Sequence, residues 1–333
     1  VERLKELARS MIAATGHEEI SLSSLSSSDY SQLEELITFL IDECGKKKIN
    51  ISLPSLRIDA FSLDIMQKVQ DIKKSSLTFA PEAGSQRLRN VINKGLTIDN
   101  ILDGSKQAFE GGWNKVKLYF MLGLPTETEE DMRAIPELAN EIAALYYDTV
   151  PKEKRNGKCQ ITISTSFFVP KPFTPFQWAT MLDPGDYLGR AKIVNDHVKE
   201  QLNHKSIRYN WHEADVTVLE GVLARGDRKL SDAIEYVYTH GGLFDAWSDF
   251  FNYDLWLEAF AACDIDIDFY TKRVRSDDEI FPWDFIDVGV TREFLLREWK
   301  TALTETVTPN CRMRCSGCGA RQYGGGVCFE DKN

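Results

Sequence analysis

LTFAPEAGSQRLRNVINKGL, residues 77–96, starts as a short apolar run, halts at Pro81-Glu82-Ala83-Gly84, and continues as a helical pattern. An apolar run of this length bounded by turn residues reads as a strand. Four further runs share the form, at 19–27, 48–59, 115–126 and 160–171, and amphipathic stretches separate them at 30–45, 61–72, 86–111 and 128–148. Strand–helix alternation at this spacing predicts βαβ units and a parallel sheet, open or closed into a barrel. Each run ends in polar or turn residues: Ser23-Ser24, Pro54-Ser55, Pro81-Glu82, Gly123-Leu124-Pro125 and Val169-Pro170. Parallel α/β folds place their ligand sites at those carboxyl ends, because the loops converge there above a rigid scaffold. The pattern therefore points to an enzyme.

With 333 residues, 43% of them hydrophobic and 27% charged, the chain can bury a sizeable core. A formal charge of −11 argues against a broad grip on nucleic-acid phosphates. No apolar run approaches the ~20 residues of a membrane helix. Of seven cysteines, Cys44, Cys159 and Cys263 are scattered while Cys311, Cys315, Cys318 and Cys328 crowd the end. That usage suits a reducing, cytoplasmic setting with a metal site better than a disulfide framework. Val1 opens directly into a helical pattern with no capping residue ahead of it, as expected of a chain cut from something longer.

Beyond about residue 205 the alternation stops. Residues 215–262 read as helices with a heavy aromatic load, and aromatics at helical spacing are read as core. A further helix is expected at about 291–304, followed by the cysteine-rich end. The expected organisation is a partial barrel over 1–205, a helical, aromatic-rich domain over 206–305 and a metal-binding tail over 306–333.

Four stretches, taken in order, carry a family resemblance. Residues 77–96, quoted above, resemble the fourth strand and loop of radical S-adenosylmethionine enzymes, and KLYFMLGLPTETEEDM (117–132) resembles their fifth. STSFFVPKPFTPFQWA (164–179) is similar to the sixth, and SLPSLRIDA (52–60) to the third. LARGDRKLS (223–231), GLFDAWS (242–248) and FPWDFIDVGVTREFLL (281–296) look most like uncharacterised members that carry a cobalamin-binding domain. The resemblance implies an incomplete TIM-like barrel comprising strands two to six. The first strand, its catalytic cysteine loop and the cobalamin domain would then lie upstream of Val1.

In that family a [4Fe–4S] cluster with one open iron binds the methionine part of S-adenosylmethionine, and an electron breaks a carbon–sulfur bond. By motif position the resemblance assigns Glu82 and Ser85 to ribose or methionine contacts, and Ser23, Ser55 and Arg57 to the second and third strand ends. Arg57 has the planar fork that pairs with a carboxylate bidentately. Gly123 would let the backbone approach the adenine, and Phe168 with Val169 would meet its edge. Glu127 reads as a charge favoured by a helix N-terminus. The implied partners are an unknown substrate and a reducing donor such as ferredoxin or flavodoxin.

CRMRCSGC, residues 311–318, sets three cysteines at C-x₃-C-x₂-C, a spacing able to hold three irons of a four-iron cluster. Here it follows a helix rather than a first strand, and Cys328 waits beyond Gly324-Gly325-Gly326. Four thiolates on such a tail suit an auxiliary [4Fe–4S] cluster or a structural zinc. A substitute catalytic cluster folded over the barrel mouth is the third option. The rival to an enzyme is a metal-stabilised module that recognises RNA or a protein.

Overall fold

The computed structural model describes residues 1–22, 30–52, 77–155, 157–311 and 313–323. The expected helix at 61–72, the serine-rich 23–28 and the strand end at Pro54-Ser55 fall outside them.

The chain opens with α1 (Glu2–Thr15), β1 (Glu19–Ser21), α2 (Leu33–Gly45) and β2 (Asn50–Ser52). β1 and β2 pair in parallel from Glu19↔Asn50 to Ser21↔Ser52. Ala8 and Ile12 of α1 pack on Leu36, Leu40 and Cys44 of α2 and on Ile49 and Ile51, which forms a small core of its own.

The main sheet is four-stranded and parallel, in the order β3 (Leu77–Glu82), β4 (Lys115–Leu122), β5 (Gln160–Phe167) and β6 (Ile207–Trp211). Between the strands run α3 (Gln86–Val91), α4 (Ile98–Glu110), α5 (Glu129–Thr149) and α6 (Pro184–Glu200). This is the mixed α/β, parallel-sheet architecture that the alternation predicts. Two details differ from expectation. β6 was not foreseen. The single helix expected over 86–111 is broken in two, because Asn93 and Gly95 take left-handed backbone and Thr97 caps a new helix with a reciprocal Asn100 bond.

One face of the sheet is apolar and covered. Val116, Leu118, Phe120 and Leu122 of β4 pack with Ile101 and Phe109 of α4, Ile135 and Ile142 of α5, and Tyr187 and Val194 of α6. Phe120 lies at 1% exposure, so truncation to Ala is expected to cost about 3–5 kcal/mol. The other face is polar. Thr78, Lys117, Thr162 and Arg208 align in one row, and Tyr119, Ser164 and Asn210 in the next.

After β6 come α7 (Ala214–Arg225), α8 (Leu230–Thr239), α9 (Tyr253–Ala262), α10 (Ile267–Tyr270) and α11 (Arg292–Leu303). Leu219, Val222, Ala233, Val237, Trp256 and Phe260 form a second core separate from the sheet. Within 215–262, the stretch read as helices, the chain is non-helical at 226–229 and 240–252. No described helix is long and apolar enough to cross a membrane.

Candidate functional site

The loop after β3 leaves the sheet through a register shift between Phe79 and Glu82, and Glu82 itself sits at φ 68°. Left-handed backbone is costly for a residue with a Cβ, so the surrounding contacts must hold it there. Its half-buried carboxylate accepts from Lys94 Nζ at 3.1 Å. Gly84 follows. A Cβ there would stand 2.5 Å from Ile135 N and 2.7 Å from Asp131 O, so the loop lies directly on the backbone of α5.

Ser85 caps α3 by accepting from Leu88 N at 3.0 Å, and its hydroxyl donates to Asp131 Oδ1. Both hydrogen-bonding roles of the hydroxyl thus serve the scaffold. Arg87 also grips Asp131, and donates to Thr126 O at 2.7 Å and Glu305 Oε1 at 2.9 Å. Burial opposes the Asp131 charge, but Arg87, Ser85 and Thr128 outweigh it and hold the carboxyl below its usual range. Arg89 is fully buried, with no carboxylate paired to it among the described residues. It donates to Ala83 O and Gly84 O, both at 2.9 Å, and to Leu96 O at 3.1 Å. Burial lowers its pKa to about 10, a value at which it stays cationic at neutral pH.

The loop after β4 is fixed from below. Gly123 has φ 84°, and a Cβ there would meet Tyr187 Cε1 at 2.6 Å. Packing against Tyr187 therefore already requires the glycine, before any ligand is considered. Gly123 N donates to Glu127 Oε2 at 2.8 Å, and the same oxygen accepts from Arg190 Nη1 at 2.6 Å. The Glu127 side chain is 1% exposed. Desolvation raises its pKa to about 7 against the lowering by Gly123 N–H and Arg190. Glu127 stands one residue before Thr128, which caps α5, and its buried carboxyl is a strut of the β4 loop.

At the end of β5, Phe168 N donates to Leu122 O at 2.8 Å, and Phe168 O accepts from Tyr187 Oη at 2.7 Å. Phe168 is buried. The next residue, half-buried Val169, has neither its N–H nor its C=O paired among the described residues. That is the edge a planar, hydrogen-bonding ligand would use.

Helix α11 lies over these loops. Ala302 and Trp299 pack with Ala83, Leu88, Val91, Leu124 and Phe168. Glu305 pairs with Arg87, and Thr308 N donates to Asn93 Oδ1 at 3.1 Å, beside the Lys94 that holds Glu82. The cysteine segment thus leaves from the carboxyl end of the sheet and returns along α11. Cys318 O accepts from Thr291 N at 2.8 Å, and Arg297 Nη2 donates to Ser316 O at 2.5 Å. Cys311 and Cys315 are exposed and Cys318 is half-buried. Among the described residues no three of His, Cys, Asp and Glu stand close enough to hold a metal. The three thiols are near in sequence but not assembled, so this arrangement does not by itself fit a cluster.

The structure therefore gathers Glu82, Ser85, Gly123, Phe168 and Val169 at one end of the sheet. Ser23, Ser55, Arg57 and Cys328 lie outside the described residues. Asp131, Arg89 and Arg190 were not anticipated. Asp131 was legible only as the third residue after Thr128, a capping-box position.

Residues 1–139 match the family model described as the radical SAM superfamily. The chain is 33% identical over 236 residues to an uncharacterised protein of Methanocaldococcus jannaschii, covering 71% of this chain and 48% of that one. A second protein of that archaeon, which bears a provisional methylthiotransferase name, is 30% identical over 97 residues, or 29% of this chain and 21% of that one. The chain thus spans about half the length, or less, of the curated relatives it matches.

Proposed function

We propose, from the match of residues 1–139 to the radical SAM superfamily model, that this protein is the core of an iron–sulfur-dependent enzyme that modifies its substrate by radical chemistry. Members of the family generally use S-adenosylmethionine and a [4Fe–4S] cluster, which together supply the carbon-centred radical, and they need an electron donor. The observation that carries the reading is the joined floor at the carboxyl ends of β3, β4 and β5. Asp131 ties the first loop to the second, Tyr187 ties the second to the third, and the backbone of Val169 is unpaired among the described residues.

On this reading Val169 meets the adenine edge through its backbone, and Glu82 receives a ribose or methionine donor. Lys94 orients the Glu82 carboxylate, and Ser85 acts through Asp131 rather than by direct contact. Gly123 shapes the loop from beneath. Of the three-part division at about 205 and 305, the first boundary draws support from the separate core formed by α7, α8 and α9. The tail thiols, together with Cys328, form an auxiliary iron–sulfur or zinc site only by being drawn together. Cobalamin would assist the reaction only in a full-length protein that carries its binding domain. The methylthiotransferase name of the second relative favours carbon–sulfur bond formation or methylation as the reaction class.

Glu82→Ala in the complete protein is expected to weaken S-adenosylmethionine binding, measured by calorimetric titration, and to leave iron content unchanged. Equal binding in variant and parent would remove Glu82 from the cofactor site.

A further inference from the structure

From Leu230 to Thr271 the chain carries nine aspartates or glutamates and not one lysine or arginine, together with eleven aromatic residues. The sequence reads those aromatics as core, but the structure divides them. Trp256, Phe260 and Tyr270 are buried. Phe244, Trp247 and Phe250 are 64%, 60% and 60% exposed, and Leu243 and Tyr238 are also open. The Phe244 ring lies 5.9 Å from both Trp247 and Phe250, edge to face. Three adjoining rings in water are costly unless something covers them.

The loop that presents them is built. Trp247 N donates to Phe244 O at 2.9 Å, and Phe250 N and Phe251 N donate to Trp247 O at 2.9 and 3.0 Å. Asp245 accepts from Trp256 Nε1 at 3.1 Å, which anchors the loop to the buried core of α9. Phe244 itself is held at φ 62°, left-handed backbone that glycine takes freely and a residue with a Cβ takes at a cost.

The charge around the rings selects the occupant. Asp249 lies between Trp247 and Phe250 in the loop, and Glu235, Asp254 and Glu258 are exposed on the adjoining helices. None of the four has a basic partner among the described residues. Such a surface repels nucleic-acid phosphate. An arginine guanidinium suits it on both counts, since its flat face stacks on aromatic rings and its edge pairs with a carboxylate. We propose that the aromatic loop at 242–251 and its flanking carboxylates form a docking surface for an arginine-rich segment of a partner protein. This stands independently of the chemistry at the strand ends.

Deca-arginine titrated into the full chain in a calorimeter tests it, with deca-lysine as comparison. The expected result is tighter binding of deca-arginine than deca-lysine, weakened at least tenfold by Phe244→Gly with Trp247→Ser and also by Asp249→Asn. The control Glu129→Gln with Glu130→Gln removes charge elsewhere and should leave binding within about twofold. Phe244→Gly alone should melt no lower than the parent, because glycine takes the left-handed backbone freely, which separates lost docking from lost folding. Equal binding by all variants, or equal loss in the control, would reduce the effect to overall charge and overturn the proposal. A peptide-free dimer in light scattering that Trp247→Ser abolishes would assign the surface to a second copy, which also overturns it.

Discussion

The strand-end loops and the cysteine tail meet at the same end of the sheet but are held in opposite ways. Residues 82–128 are clamped by buried charge: Arg89 on three carbonyls, Asp131 on Ser85 and Arg87, and Glu127 on Gly123 and Arg190. Residues 311–318 carry exposed or half-buried thiols, and their described bonds to the rest of the molecule run through the Ser316 and Cys318 carbonyls. The difference teaches what each region needs in order to function. The loops are shaped before any ligand arrives, so ligand binding need not supply their ordering. On the proposed reading, the tail would gain its geometry from whatever gathers its thiols.

The largest expected break in this contrast is Arg89→Met. It leaves Ala83, Gly84 and Leu96 carbonyls buried and without their donor, and should cost about 4 kcal/mol in denaturant unfolding. The β3 loop would loosen with it, so S-adenosylmethionine affinity should fall as well.

Next comes the pH dependence of Glu127. Its folded pKa is raised to about 7 from an ordinary value of 4.5, so between those values the folded state holds a proton that the unfolded chain has lost. The contribution of this group is full below about pH 4.5, falls as pH rises and is gone above about 7. The total change is about 3 kcal/mol. Glu127→Gln keeps an acceptor for Gly123 N–H and should flatten that slope. Unfolding curves from pH 5 to 8 that stay parallel for parent and variant would contradict the buried-strut assignment.

The smallest effect is expected in the tail. Cys311→Ala with Cys315→Ala should shift metal-free stability by no more than about 0.5 kcal/mol, because both side chains are exposed. The same variant should lose iron or zinc retained after anaerobic reconstitution, counted per chain. A large loss of metal-free stability would mean that the tail is as preformed as the loops.

Much of this was legible in the sequence, for physical reasons that particular residues make plain. β3, β4 and β5 are covered on their apolar face and read as runs rich in Leu, Ile, Val and Phe, bounded by turn residues. β6 escaped notice because it alternates Ile207 with exposed Arg208 and Asn210, and only its first residue is buried. The break at Asn93 and Gly95 was written in the local residues, although the apolar periodicity on either side of it concealed the stop. Motif position brought Glu82, Ser85, Gly123, Phe168 and Val169 to one end of the sheet. It did not reveal that Ser85 and Gly123 serve the scaffold, since their partners Asp131 and Tyr187 lie 46 and 64 residues further along the chain. The aromatics of 236–260 failed as a uniform core reading because helical spacing does not say which face finds a partner, and the loop at 242–251 is not helical.

The most direct test is a calorimetric titration of S-adenosylmethionine into the anaerobically reconstituted protein, its Glu82→Ala variant and its Cys311→Ala/Cys315→Ala/Cys318→Ala variant. The account predicts that the cysteine variant binds as the parent does, while Glu82→Ala binds at least tenfold more weakly. Binding that survives Glu82→Ala and vanishes with the three cysteines would move the cofactor site from the strand ends to the tail.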